Sequence, residues 1–341
     1  MDESLVSSIY LAGSLHGVFE RKAGVIQQEE CGVDYRQRTL KDEIGCTGIG
    51  LHTGNKINIH MRPAPPDTGI RFIRTDLDAC PMVSARFENV LDTTLATTLS
   101  ENGCSISTVE HLMAAFFGLG IDNAVVHVDG PEVPIMDGSA APFVFLIKSA
   151  GIREQHAPKH FLIIKKPFEV IDGNRSIHIY PSKELSIQYT IDFEHPLLRN
   201  QEYTLTFSGK DFARKISASR TFGFLKDVEI LKENGFAQGG SLDNAVVIDD
   251  FKIMNEDGLR FKNEFVRHKI LDFIGDLSLI GCPVIGRFVV RKSGHFLNHV
   301  MLRQLIGSRK HWKVLSFKTT EDCAKNRVKI PAFGWADPIP V

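Results

Sequence analysis

One stretch limits what this chain can fold into more than any other: a helical segment from about Glu264 to Ile280 that carries two different faces. Val266, Ile270, Phe273, Ile274 and Leu277 recur at helical spacing and form an apolar stripe that needs a core. His268, Asp272 and Asp276 recur every four residues and share a second face, turned well away from that stripe. A solvated helix face usually carries long Lys and Glu chains. Here three short groups with metal-ligand chemistry line up instead. An i, i+4 pair of such groups can place two donors on one ion, as in the HExxH helices of metalloproteases.

A second segment answers the first. Thr108-Val109-Glu110-His111-Leu112 opens an apolar run in which Val109, Leu112, Met113, Phe116 and Phe117 follow helical spacing. Thr108 is the expected N-cap, and Gly118 and Gly120 end the helix. His295 follows far downstream, in Lys292-Ser293-Gly294-His295. If these parts converge, two imidazoles and one carboxylate make the three-ligand set that catalytic zinc uses, with a fourth position open. Glu110, beside a ligand, can then take a proton from water. Each part alone has a blander reading: His111 as a satisfied core histidine, Glu110 as a first-turn acid favoured by the helix dipole. A non-catalytic structural metal is the rival from another class, but closed sites take four protein ligands, and neither motif holds a cysteine.

The remainder of the chain sets the frame. At 341 residues, two domains are expected. The formal net charge of -1 argues against generic nucleic-acid binding, which needs a basic excess. Six cysteines without a CxxC pair read as reduced thiols. No apolar window is long enough for a spanning helix, and Met1-Asp2-Glu3-Ser4 begins acidic where a secretory signal begins basic. A cytoplasmic protein is expected.

Residues 1–37 show no period and read as an extension outside the fold. Strands are expected at Lys56–Met61, Gly69–Arg74, Ala124–Val128, Phe161–Ile164, Ser176–Tyr180, Leu185–Ile191, Ala245–Ile248 and Val284–Val290. Helices are expected from Ser139 to Gly151, from Asp227 to Asn234 and from about Asn298 to Ile306. A second domain starts near His156 to Lys159. Strands and helices segregate within each half, which suggests two α+β domains, each a sheet packed against helices. No internal sequence repeat is evident.

Several strings carry a resemblance. Ser107-Thr108-Val109-Glu110-His111-Leu112-Met113, Gly120-Ile121-Asp122-Asn123-Ala124, Pro134-Ile135-Met136-Asp137-Gly138-Ser139 and Phe265-Val266-Arg267-His268-Lys269 resemble one family closely. So do Leu271-Asp272, Ile274-Gly275-Asp276 and Lys292-Ser293-Gly294-His295. The family is UDP-3-O-acyl-N-acetylglucosamine deacetylase, the zinc amidase of bacterial lipid A synthesis, and the match runs from about Arg38 to about Phe317.

The resemblance implies an α+β fold of two domains with related topology, 38–157 and 158–318, with the active site in the cleft between them and a divergent tail at 319–341. By position, His111, His268 and Asp272 match the zinc ligands, with Fe2+ as a substitute metal. Glu110 matches the general base, His295 the general acid and Asp276 the carboxylate that orients it. Thr221 matches the threonine that stabilises the oxyanion. Lys269 and Phe222 match substrate contacts, and Lys292 a phosphate-binding lysine. The segment at about 224–247 matches an inserted unit forming an acyl passage, along which Val228, Ala237, Ser241 and Val247 are expected. The implied partner is a small molecule, the acylated UDP-amino sugar, and the implied state a monomer. A zinc hydrolase of the same fold acting on another N-acyl sugar is the nearest rival.

Overall fold

A computed structural model of the chain describes residues 35–333. Most of the extension expected at 1–37 therefore lies outside the described residues. The fold begins slightly before that expected boundary, because Arg36 already belongs to a strand.

The first half runs β1 (Arg36–Leu40), β2 (Ile44–Ile49), β3 (Lys56–Pro63), β4 (Ile70–Arg74) and β5 (Met82–Ser84). An excursion follows, β6 (Val90–Asp92), β7 (Thr98–Glu101) and β8 (Cys104–Ile106). Next come α1 (Glu110–Leu119), β9 (Ala124–Val128), α2 (Ala141–Ala150) and β10 (Ile152–Pro158). The second half runs β11 (His160–Ile164), β12 (Phe168–Asp172), β13 (Arg175–Tyr180), β14 (Ser186–Ile191) and β15 (Gln201–Thr206). It continues through α3 (Gly209–Lys215), β16 (Phe222–Phe224), α4 (Leu225–Glu233), β17 (Val246–Ile248) and α5 (Glu264–Ser278). It closes with β18 (Val284–Ile285), β19 (Arg287–Arg291), α6 (His295–Gly307), β20 (Trp312–Ser316) and α7 (Thr320–Lys325).

The strands form in response to alternation. Along β3, Ile57, Ile59 and Met61 turn inward while Lys56, Asn58 and His60 face out. In β13 and β14, Ile177, Ile179, Ile187, Tyr189 and Ile191 do the same. Each fully buried side chain of this size contributes about 1.5–3 kcal/mol relative to exposure.

Two five-stranded sheets result, ordered β2-β3-β9-β4-β5 and β12-β13-β19-β14-β15. They share one topology. In each, a hairpin adds antiparallel to the central strand, whose other neighbour, β4 or β14, runs parallel to it. The helix before the central strand is α1 in one half and α5 in the other; the helix after it is α2 or α6. The structure is thus a repeat that the sequence does not display, because packing preserves pattern and not residue identity. The α+β class expected from the sequence holds: α2 packs on β2, α5 on β14 and β15, and α6 on β12 and β13.

The equivalent helices α1 and α5 pack directly on each other. Gly275 permits this, since a Cβ there would run into the Glu110 carbonyl oxygen. All of α1 is buried, as is nearly all of α5. The face that carries His268, Asp272 and Asp276 is therefore not solvated: their exposures are 2, 4 and 3 %.

Two expectations need correction. Val284–Val290 is two strands, not one: β18 pairs with β11, and β19, beyond Gly286, pairs with β13 and β14. An apolar run does not reveal that it changes sheet. Thr108 does not cap α1 either. It sits at φ 57°, Val109 holds the cap position without a side-chain cap bond, and the Thr108 hydroxyl donates to Glu132. The described part of the tail, 319–333, packs onto the fold: Phe333 is buried against Phe117 and Phe207, and the Gly209 amide donates to the Ala332 carbonyl.

Candidate metal centre

The close contact of α1 and α5 decides where the site lies. His111 is on the first turn of α1, and His268 and Asp272 are one turn apart on α5. Their donor atoms lie within 4.8 Å of one another, all buried, a group that could hold a metal ion. His111 Nε2 is 3.6 Å and His268 Nε2 3.3 Å from Asp272 Oδ1. The two rings meet edge to face, with centroids 5.1 Å apart. Among the described residues no fourth His, Cys, Asp or Glu joins them.

Whether these residues suit a cation is tested by their hydrogen bonding. His268 Nδ1 lies 3.0 Å from the Ser219 carbonyl, which assigns the proton to Nδ1 and leaves Nε2 with a free lone pair. Burial, with His111 and Lys269 nearby, pushes the His268 imidazole down to about 3, outweighing Asp272, so the ring is neutral. Burial alone would raise Asp272. The adjoining His268 and Lys269 override it and hold the carboxyl well below the usual carboxylate range. Asp272 Oδ2 accepts from Lys269 Nζ at 3.0 Å, while Asp272 Oδ1 and His111 Nδ1 are buried without a partner. Leaving such atoms unsatisfied costs roughly 1–3 kcal/mol each. A neutral imidazole, an ionised carboxylate and orphaned buried atoms on two helices fit a divalent cation of the zinc class.

The neighbouring groups are arranged around this cluster. Glu110 is buried at 4 % exposure. Its Oε2 accepts from the Thr97 amide at 3.1 Å, and its Oε1 is 3.8 Å from His295 Nε2. Burial pushes its carboxyl above the ordinary range, against the opposing pull of His295 and His111. His295 opens α6, and its Nδ1 is 2.8 Å from Asp276 Oδ2. Burial opposes the imidazolium, but the carboxylates of Asp276, Glu110 and Asp272 outweigh it and hold the group up to about 9. Asp276 is fixed in turn: Thr97 Oγ1 donates to Oδ1 at 2.6 Å and Asn298 Nδ2 to Oδ2 at 2.8 Å. Asn298 is set by the Ser293 hydroxyl, at 2.6 Å.

The structure thus joins six sequence candidates, Glu110, His111, His268, Asp272, Asp276 and His295, in one buried network. Lys269 reaches it through Asp272, and its Nζ lies 5.7 Å from the centre of the Phe222 ring. Phe222 packs edge-on to His268, with centroids 6.2 Å apart. Thr221 lies on the same loop as Ser219; its amide donates to the Gly138 carbonyl. Lys292, at φ 53°, pairs instead with Asp192 at 2.8 Å. Val228, Ala237, Ser241 and Val247 lie in the segment spanned by the parallel pair β16 and β17 and the helix α4 between them. Thr97, Asn298 and Ser219 escaped the sequence reading. Nothing marks them locally, since Thr97 meets Asp276 across 179 residues of chain.

Three buried donors from two helices, with the Glu110 carboxyl and the His295 imidazole alongside, match the class of metal-dependent hydrolases. Comparison with known proteins narrows this. The model of the UDP-3-O-acyl N-acetylglycosamine deacetylase family matches residues 37–307. Proteins named UDP-3-O-acyl-N-acetylglucosamine deacetylase from Myxococcus xanthus and Methylococcus capsulatus are each 53 % identical to the chain. They cover 84 % and 83 % of it, over 91 % and 94 % of their own length. One from Syntrophus aciditrophicus is 50 % identical, over 84 % of the chain and 91 % of its own length. The chain belongs to the UDP-3-O-acyl N-acetylglycosamine deacetylase family.

Proposed function

We propose that the chain is a zinc-dependent amide hydrolase. It removes the N-acetyl group from UDP-3-O-(3-hydroxyacyl)-N-acetylglucosamine, releasing acetate and the free 2-amine, the committed step of lipid A biosynthesis. The observation that carries this reading is the convergence of His111, His268 and Asp272 within 4.8 Å, in a chain of this family. Zinc held by these three would supply Lewis acidity toward the amide carbonyl. Iron suits the same donors.

The chain's own residues do the rest. Glu110, made more basic by burial, takes the proton of the attacking water. The Thr221 hydroxyl donates to the oxyanion as the carbonyl carbon becomes tetrahedral. His295, protonated below about 9, delivers a proton to the departing amine nitrogen, without which an amide does not cleave. Asp276 holds that ring by Nδ1 and leaves Nε2 to face Glu110. Lys269 and Phe222 border the sugar, Lys292 meets the diphosphate, and the acyl chain runs along Val228, Ala237, Ser241 and Val247. The halves meeting at α1 and α5 act as two domains, 38–157 and 158–318. A monomer working in the cytoplasm completes the reading.

The test is acetate release from a substrate panel: nucleotide-linked and free sugars, each with and without the 3-O-acyl chain. Turnover confined to the acylated nucleotide sugar supports the proposal. Preference for a free N-acyl sugar replaces it with a hydrolase of the same fold and a different substrate.

A further inference from the structure

Glu132 is a buried carboxylate, 1 % exposed, that the reaction scheme does not use. It accepts from two directions. From one side the His52 amide donates to Oε1 at 3.0 Å, the Thr53 amide to Oε2 at 3.0 Å and the Thr53 hydroxyl to Oε2 at 3.0 Å. From the other, the Thr108 hydroxyl donates to Oε1 at 2.9 Å. Bonds to a carboxylate are about twice as strong as neutral ones, so this group ties two segments firmly together.

The first segment is the turn between β2 and β3. It carries the wall of the inserted unit: the Gln238 amide donates to the His52 carbonyl at 3.2 Å, and the Gly239 amide to the Leu51 carbonyl at 3.0 Å. The His52 ring meets Phe236 edge to face, with centroids 5.6 Å apart. The fit leaves no slack, since a Cβ on Gly239 would run into the Gly50 carbonyl and one on Gly50 would meet Glu132 Oε2 at 2.5 Å. The second segment is the entry to α1. Thr108 is held at φ 57°, a conformation that L residues rarely adopt and that its surroundings must impose. Two and three residues later the chain presents Glu110 and His111.

We propose that Glu132 is a positioning residue that locks the passage wall at 236–240 and the backbone bearing Glu110 and His111 into one register, so that acyl-chain seating and catalytic geometry depend on the same carboxylate. The wall part of this rests on the acyl-passage reading given above.

Three near-isosteric variants separate the parts. Thr53→Val removes a donor on the wall side, Thr108→Val one on the helix side, and Glu132→Gln leaves one acceptor oxygen in place of two. The assay is acetate release from UDP-3-O-acyl-N-acetylglucosamine carrying a 3-hydroxymyristoyl or a 3-hydroxybutyryl chain, with bound metal quantified for each variant. T53V is expected to shrink the long-over-short preference in kcat/KM about tenfold, with short-chain kcat unchanged. T108V is expected to lower kcat about tenfold on both substrates with metal content intact, the scale of one charge-assisted hydrogen bond. E132Q should do both. A merely structural Glu132 would lower the melting temperature and move neither readout. That result, or an unchanged kcat in T108V and E132Q, overturns the proposal. If E132Q does not fold, the two threonine variants decide. If the wild-type protein is itself indifferent to chain length, the passage reading falls and takes the wall part with it, while the kcat comparison still decides the helix part.

Discussion

At the scale of single residues, the site is a set of protonation states fixed by environment. Burial raises Glu110, and surrounding carboxylates raise His295; the proposed base and acid lie side by side, 3.8 Å apart. Replacing Glu110 with Ala should reduce turnover by roughly 10²–10⁴-fold while the metal stays bound, as metal analysis beside the kinetics would show; full activity would remove its role. The pH dependence has a definite sign. His295 is held above its unfolded value of about 6.5, so its contribution to stability is complete below that value and drains away as pH rises toward 9. Activity that needs its proton should fall as pH passes about 9. Asp276→Asn removes the nearest carboxylate and should move the basic limb of the pH–rate profile downward; an unmoved limb would mean that another group delivers the proton. The ligand candidates were legible because histidine and aspartate at i, i+4 carry chemistry in any context. Thr97 and Asn298 were not, because an ordinary Thr or Asn gains meaning only from a partner that folding brings near.

At the scale of elements, helix periodicity exposed α1 and α5, but not that they face each other. Gly275 is the residue that lets them do so. Gly275→Ala should overpack the contact, costing about 1–3 kcal/mol and widening the spacing of His111 from His268 and Asp272. Thermal unfolding and metal titration should then both weaken; if neither changes, the close approach is dispensable. The strand pair β18 and β19 was read as one run because alternation and apolarity continue across Gly286 while hydrogen-bonding partners do not. The start of α1 departs from its local signal for a related reason. A threonine before an apolar helix signals a cap locally, and here a glutamate 24 residues away claims its hydroxyl.

At the scale of the molecule, two sheets of the same topology present equivalent helices to each other, and the metal donors divide between them. Stability and site are therefore linked: a ligand that bridges α1 and α5 stabilises the folded state by mass action, about 2.7 kcal/mol at a concentration 100 times its Kd. Chelation should lower the melting temperature and abolish acetate release together, and added zinc should restore both. The central claim is that one divalent cation is shared by both helices. Anomalous diffraction at the zinc edge tests it most directly. The account predicts a single strong peak about 2 Å from a nitrogen of His111, a nitrogen of His268 and an oxygen of Asp272. A peak touching only one helix, or centred elsewhere in the chain, would contradict it.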